Sequence, residues 1–122
     1  MAGSTPSKIN LAEKFATFDE HWAPRIAGRY NDNEVRLAKA GGDFQWHSHA
    51  DSDELFLVIE GTLHMEFRTR TEVIGPGEMI IVPRGVEHFP RVPQGEVKMV
   101  VIDPADTPNT GDPATAYTPI EV

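Results

Sequence analysis

The sequence predicts a single all-β domain, a sandwich or barrel preceded by one short helix. Two observations support this prediction. Between residues 25 and 103, runs of β-branched and aromatic residues are separated by Gly, Pro, Asn or Asp about every eight to twelve residues, a spacing typical of short antiparallel strands. The 122 residues, 39% of them hydrophobic, suffice for one core and leave no room for a second domain.

The chain divides into three predicted segments: an N-terminal tail and short helix over 1–24, the β domain over 25–103, and an extended C-terminal arm over 104–122. Residues 1–7 are small and polar and predict an unstructured start. Apolar positions over Ile9–Phe18 follow helical spacing, and Asn10 with Glu13 resembles a capping box. The C-terminal arm carries prolines among Asp, Thr and Asn, so we expect neither strand nor helix there.

The runs that predict strands are Arg25–Tyr30, Glu34–Ala40, Gln45–His49, Glu54–Glu60, Thr62–Arg68, Thr71–Ile74, Met79–Val82, Glu87–Val92 and Glu96–Asp103. Strand Glu54–Glu60 is apolar on both faces, whereas a strand with one face in water alternates. Its second face therefore needs a cover. A second copy of the chain would provide one and predicts a homodimer, and a sandwich core with the N-terminal helix would serve equally well.

A two-residue turn at Glu60–Gly61 predicts a hairpin between this strand and the next. In that register Leu63, Met65 and Phe67 share a face with Glu54, and His64 lies on the opposite face.

Charge and composition narrow the partners. Lys and Arg number 11 against 19 Asp and Glu, a net charge of −8, which argues against nucleic acid and anionic membranes as partners. No cysteine is present, so disulfides, iron–sulfur clusters and a thiolate nucleophile are excluded. The start lacks the apolar stretch of a secretory signal and no segment is long enough to span a membrane, so we expect a cytoplasmic protein that binds a small molecule.

Histidine, glycine and proline recur at fixed spacings in two clusters, Gly41-x5-His47-x-His49-x4-Glu54-x6-Gly61 and Gly77-x5-Pro83-x-Gly85-x2-His88. Residues and gaps closely resemble the two motifs of the cupin superfamily. The resemblance implies a small antiparallel jelly-roll β-barrel, often dimeric, with the motif residues lining its interior. Other segments, such as Asp53–Phe56, resemble short bacterial cupins, which are similar only distantly to mannose-6-phosphate isomerases.

The spacing of the motif residues is that of metal ligands. His47 and His49 leave the same face of a strand, and a turn through the polar residues that follow can bring Glu54 back to them. The resemblance adds His88 from a remote strand. Three imidazoles and one carboxylate suit one divalent transition metal, which is Fe, Mn, Ni, Cu, Co or Zn. Asp53 is the alternative carboxylate, and a lone His in a strand would usually be a packing residue.

Further residues are predicted around the ion. Gln45 shares parity with the histidine pair and is a candidate hydrogen-bond partner for a ligand or substrate. The expected apolar walls of the cavity are Phe56, Met65, Phe67 and Pro90, although core packing explains these four equally well. Arg84 and Arg91 could bind a phosphate at the mouth or could be surface charges. His64 faces away from Glu54 in the predicted hairpin and His21 has no partner at ligand spacing, so both are excluded from the site and expected at the surface or an interface.

Three functions fit this pattern. The first is a metal-dependent enzyme acting on a small organic molecule, by dioxygenation with a redox-active ion or by isomerisation or hydrolysis with Zn. The second is a non-catalytic module that binds or senses a small molecule. The third is a purely structural ion.

Overall fold

The computed structural model describes residues 6–122, so the first five residues of the predicted tail lie outside the described residues. The elements in chain order are α1 (Leu11–Phe15), β1 (Arg25–Tyr30), β2 (Asn33–Asp43), β3 (Glu54–Glu60), β4 (Leu63–Glu66), β5 (Thr71–Ile74), β6 (Met79–Val82), β7 (Phe89–Pro104) and β8 (Ile120–Glu121). The predicted all-β class with one short N-terminal helix is confirmed. No helix within residues 6–122 is long or apolar enough to cross a bilayer.

Strand β7 is the longest element and connects the whole sheet. The strands run in the order β5, β4, β7, β2, β1, β8, and β3 pairs with both β7 and β6. Along β2 and β7, Ala40 pairs with Val97 but Gly42 pairs with Val92, so residues 93–96 bulge out of the ladder. The sequence predicted a break between two strands at this position, and the structure makes one strand with a bulge instead.

The predicted hairpin between the third and fourth strands is wrong. β3 pairs with β6 and β7, and β4 pairs with β5 and β7. Gly61 turns the chain between these two regions with a φ of 83°, and a Cβ there would lie 2.3 Å from the carbonyl oxygen of Glu96. Leu63 and Met65 are nevertheless buried and His64 is half-buried, because side chains alternate along β4 whichever strand it pairs with.

Alternation along the strands creates two apolar clusters, one on each side of the sheet. The inner cluster includes Phe56, Val58, Leu63, Met65, Val97 and Met99. The outer cluster centres on Phe15, Phe18, Leu37 and Val100, with Leu57 and Ile59 packed against it. The N-terminal segment thus covers part of the second apolar face of β3, which is one of the two covers expected from the sequence. Met79 and Ile81 on the neighbouring β6 stay 60% and 54% exposed.

The helix begins where its cap predicts. The Asn10 side chain accepts a hydrogen bond from the Glu13 backbone N–H at 3.0 Å, and the helix ends at Phe15, short of the predicted Phe18. Beyond it, the Lys39 ammonium donates to the Phe18 carbonyl at 2.6 Å and lies over the Phe18 ring. These contacts fix the N-terminal segment against the outer face of β2.

The C-terminal arm is mostly irregular, and the expectation that it contains no strand is wrong at its end. Ile120 pairs with Arg25, so β8 adds a short parallel strand to the edge of β1. Before it, the arm folds back over the sheet, with Thr110 buried and the Asn109 side chain donating to the Trp22 carbonyl at 3.3 Å and accepting from the Tyr117 N–H at 3.0 Å. Asn109 therefore links the segment before β1 to the C-terminal arm.

Candidate metal centre

Four side chains from separate parts of the chain converge at one point. Glu54 begins β3 and faces inward, His88 immediately precedes β7, and His47 and His49 lie in the irregular segment between β2 and β3. Each offers one potential ligand atom, and these atoms all lie within 4.8 Å of one another. Bonds of about 2.1 Å to one ion would hold its ligand atoms no more than about 4.2 Å apart, so the group is close to the spacing that one ion requires.

Backbone pairing brings the two motifs together. His47 and His88 exchange backbone hydrogen bonds of 3.0 and 2.9 Å, which places them side by side as an isolated antiparallel bridge. The predicted strand Gln45–His49 reduces to this bridge. Their rings consequently lie 4.2 Å apart, centroid to centroid.

The same segments set which imidazole nitrogen is free. The Nδ1 of His47 donates to the Gln45 carbonyl and the Nδ1 of His88 donates to the Val86 carbonyl, each at 2.9 Å. Because a carbonyl can only accept, Nδ1 carries the proton in both rings and Nε2 keeps its lone pair. Both histidines are therefore held in the tautomer that can bind a metal through Nε2.

The electrostatics of the site favour a charged Glu54 carboxylate and a neutral His47 imidazole. Burial would raise the pKa of Glu54, but contacts with His49 and His88 at 3.2 and 3.4 Å outweigh it and hold this pKa below its ordinary range. Burial, and then the proximity of His88, lower the pKa of His47 to about 4. At neutral pH His47 is therefore uncharged, as a metal ligand must be.

Buried polar atoms without partners mark the centre of the cluster. His49 Nδ1 and Nε2, Glu54 Oε1 and His88 Nε2 are all buried and make no hydrogen bond of normal geometry. Each such atom costs about 1–3 kcal/mol if it stays unsatisfied. A divalent ion would satisfy three of the four directly, and imidazole nitrogen with carboxylate oxygen is a donor set that transition metals accept. The residues present therefore fit such an ion.

The structure separates the two candidate carboxylates. Asp53 is exposed and accepts hydrogen bonds from the backbone N–H and the Nε of Arg84, at 2.9 and 3.4 Å. Glu54 is buried beside the imidazoles. Glu54 and not Asp53 therefore belongs to the cluster.

A cavity of about 430 Å³, including solvent-open space, adjoins the cluster. His47 and Glu54 form one side of it, and Phe56 and Pro90 contribute to its walls as the sequence predicted. Gln45 does not line the cavity. The chain at this point is not a regular strand, so alternate residues do not share a face. The Gln45 side chain is exposed, and Phe44 takes the inward place.

Four other predicted pocket residues do not line this cavity. Met65 is fully buried in the inner cluster, and Phe67 is half-buried against that cluster, so both pack the core. Arg84 is exposed and pairs with Asp53. Arg91 is half-buried and bonded to Glu66, so neither arginine faces the cavity as a phosphate site.

Sequence reasoning missed most of the polar lining. Arg36, Asp103 and Asn109 all line the cavity. Arg36 and Asp103 are each 1% exposed, and they lie on the same inward faces of their strands as Ala38 and Val101. A charged residue at a core position was therefore the sequence signal that could have identified them as cavity-lining. Burial, and then the charge of Glu54, raise the pKa of Asp103 to about 9, so this carboxyl group is protonated at neutral pH.

Comparison with known proteins agrees with the geometry. The family model described as "Cupin domain" matches residues 33–103, which contain all four converging side chains. This chain is a cupin. A cupin-2 domain containing protein from Shewanella frigidimarina is 45% identical, with a TM-score of 0.77 over 79% of this chain and 93% of that one. The predicted jelly-roll architecture is thereby confirmed.

Three further relatives place this cupin among proteins of varied size. Protein NMB1881 from Neisseria meningitidis is 33% identical, with a TM-score of 0.74 over 81% of this chain and all of that chain (100%). The uncharacterized protein YdbB of Bacillus subtilis is 44% identical over 62 residues, which are 50% of this chain and 55% of that protein. Germin-like protein subfamily T member 2 of Arabidopsis thaliana is 40% identical over 47% of this chain, and the match spans only 28% of the plant protein.

Proposed function

We propose that this cupin binds one divalent transition metal through His47, His49, Glu54 and His88 and acts as an enzyme on a small organic molecule. The observation that carries the proposal is the set of buried, unpartnered nitrogen and oxygen atoms that face one another in the cluster. A packing role would leave these atoms unsatisfied. An ion would satisfy three of them and stay open on the side where the cavity begins.

Each side chain has a definable part in this function. When bound, the ion would supply Lewis acidity, and redox activity if it is Fe, Mn, Ni or Cu. The carbonyls of Gln45 and Val86 hold the Nδ1 protons of two ligands and so keep their Nε2 atoms directed at the ion. Asp103 holds a proton next to Glu54. The apolar wall excludes water from the substrate.

The choice between reaction classes depends on the ion. With a redox-active ion the proposed activity is dioxygenase-type, and with Zn it is isomerisation or hydrolysis. The cavity supports an enzyme over a purely structural ion because it gives a small molecule access to two of the proposed ligands. A non-catalytic binding module would use the same cavity without turnover.

Metal content and turnover test the proposal. We expect protein purified without chelator, or dialysed against each of the six ions, to hold one ion per chain by mass spectrometry. His88→Ala should lose that ion. His64→Ala is the matched control, since His64 lies outside the cluster, and it should keep it. Oxygen uptake or product formation with the loaded protein, lost in His88→Ala, would establish an enzyme. Metal binding without turnover on a broad substrate panel would favour the binding module.

We also propose that a second copy of the chain covers the outer side of β6. Met79 and Ile81 are largely exposed and lie opposite Leu57 and Leu55 of β3, so they extend the same apolar face. Among the described strands β6 pairs with β3 alone, so its other edge is open to a partner strand.

A further inference from the structure

An aromatic wall leads from the surface of the cavity to the candidate metal centre. The ring of Trp22 stacks on that of Phe44, with centroids 4.9 Å apart and planes at 24°. Phe44 in turn meets the imidazole of His47 edge-on, at 5.3 Å and 89°. All three line the cavity, so a molecule beside the centre can pack against this wall.

The wall is fixed in place by the backbone. Trp22 has a φ of 58°, a left-handed conformation that bulky residues rarely adopt and that the surrounding structure must hold in place. Its backbone N–H donates to the Lys39 carbonyl and its indole N–H donates to the Gly41 carbonyl, both at 2.9 Å. Its own carbonyl accepts from Asn109 at 3.3 Å. The indole is therefore held in position before any ligand arrives, and its polar atom is already bonded.

The charges that line the cavity disfavour an anionic ligand. Arg36 is the one Lys or Arg among the cavity-lining residues of the described chain, and its guanidinium already donates to Glu34 twice, at 3.0 and 2.8 Å, and to the Thr107 carbonyl at 2.8 Å. Glu54 and Asp103 add two carboxyl groups to the same lining. Asp103 is protonated at neutral pH, so apart from the proposed ion a phosphate or carboxylate would meet the Glu54 carboxylate and no unpaired Lys or Arg in the described lining.

We propose that the substrate of this site is a small uncharged aromatic molecule that carries a hydroxyl group, of the phenol or catechol class. Its ring packs on Trp22 and Phe44, and its hydroxyl points toward the ion beside His47. Only the contact between the hydroxyl group and the ion rests on the proposed function, because the aromatic wall that holds the ring exists without an ion. Trp22 lies outside residues 33–103, so the segment before the family domain contributes to specificity.

Tryptophan fluorescence tests this inference directly. The chain has two tryptophans, and Trp46 lies outside the cavity with Arg68 stacked over it at 3.7 Å. The variant Trp46→Phe therefore leaves Trp22 as the single reporter. We expect catechol to quench its emission saturably in Zn²⁺-loaded protein, and benzoate or glucose 6-phosphate to do so at least about tenfold more weakly.

A pair of phenylalanine variants tests the wall itself. Phe44→Ala should weaken catechol binding about tenfold by calorimetry, as expected for the loss of an aromatic contact. Phe67→Ala is the matched control, an aromatic residue packed outside the cavity, and should leave affinity within about twofold. Equal affinities of the two variants would overturn the proposal, as would tighter binding of either anion.

Zn²⁺ binding to Trp46→Phe is measured first, so that the two proposals can fail separately. If neither Zn²⁺ nor any of the other five ions binds, the proposed function fails, and phenol titrated into chelator-treated protein then decides the present inference. Saturable quenching of Trp22 by phenol supports it. The absence of quenching by both phenol and catechol overturns it.

Discussion

Loading the four-residue cluster with a metal ion should raise thermal stability by an amount that follows from the structure. Four buried atoms in the cluster make no hydrogen bond, and at about 1–3 kcal/mol each they make the metal-free state costly. An ion present at one hundred times its dissociation constant adds about 2.7 kcal/mol to the free energy of unfolding. With an unfolding entropy of about 2.1 cal/mol/K per residue, 122 residues convert this into a rise in Tm of about 10 °C.

Scanning fluorimetry measures this rise. Protein stripped with a chelator is titrated with each of the six candidate ions, and the change in Tm is compared with that of His88→Ala and His64→Ala. His88 is fully buried in the cluster, and its loss should reduce the metal-induced rise to below about 2 °C. His64→Ala should retain the full rise. Because each variant is compared with its own metal-free form, the cavity that His88→Ala leaves does not affect the comparison.

A metal-induced rise of the same size in His88→Ala and in the wild type would refute this reasoning, since the ion would then bind elsewhere. No rise with any of the six ions would refute it as well. Loss of the metal-induced rise in Tm in His64→Ala as well as in His88→Ala would place the binding site outside the cluster.

Three further predictions concern the arm, the buried acid and the second copy. Gly111→Ala should lower the free energy of unfolding in urea by more than about 2 kcal/mol, because φ is 77° and the new Cβ would lie 2.2 Å from the Ser48 carbonyl oxygen. A decrease below about 0.5 kcal/mol would contradict the packing of the arm. Asp103 has a raised pKa of about 9, so between pH 7 and 9 the native state binds more protons than the unfolded state. The free energy of unfolding of the metal-free protein should therefore fall by up to about 1.4 kcal/mol per pH unit over this range, relative to that of Asp103→Asn. Parallel pH profiles of the two proteins would contradict this. Ile81→Lys should convert a dimer into a monomer in light scattering, whereas an unchanged mass would exclude the β6 face as the interface.

Much of the candidate site could be predicted because its residues have fixed spacings. Two histidines two positions apart, followed by a turn and a glutamate, gave the segment that the structure brings beside His88. Alternation along a strand is equally robust, so the prediction that His64 lies away from Glu54 is correct even though the predicted strand pairing is wrong.

The cavity lining could not be predicted so well, and the reasons are local. Gln45 was assigned an inward position by counting along a strand, but the backbone there forms one bridge and not a ladder, so Phe44 points inward instead. Trp22 reaches the cavity through a left-handed backbone turn that no hydrophobic pattern encodes. Asn109 arrives from an irregular arm that was expected only to be extended. Positions set by long-range hydrogen bonds are invisible to local patterns.

The most direct measurement is diffraction from crystals of metal-loaded protein at the absorption edge of the bound ion. We predict one anomalous peak per chain, about 2.0–2.3 Å from Nε2 of His47, Nε2 of His88, a ring nitrogen of His49 and a carboxylate oxygen of Glu54. A peak held by surface residues, or loaded crystals with no peak between these four side chains, would contradict it.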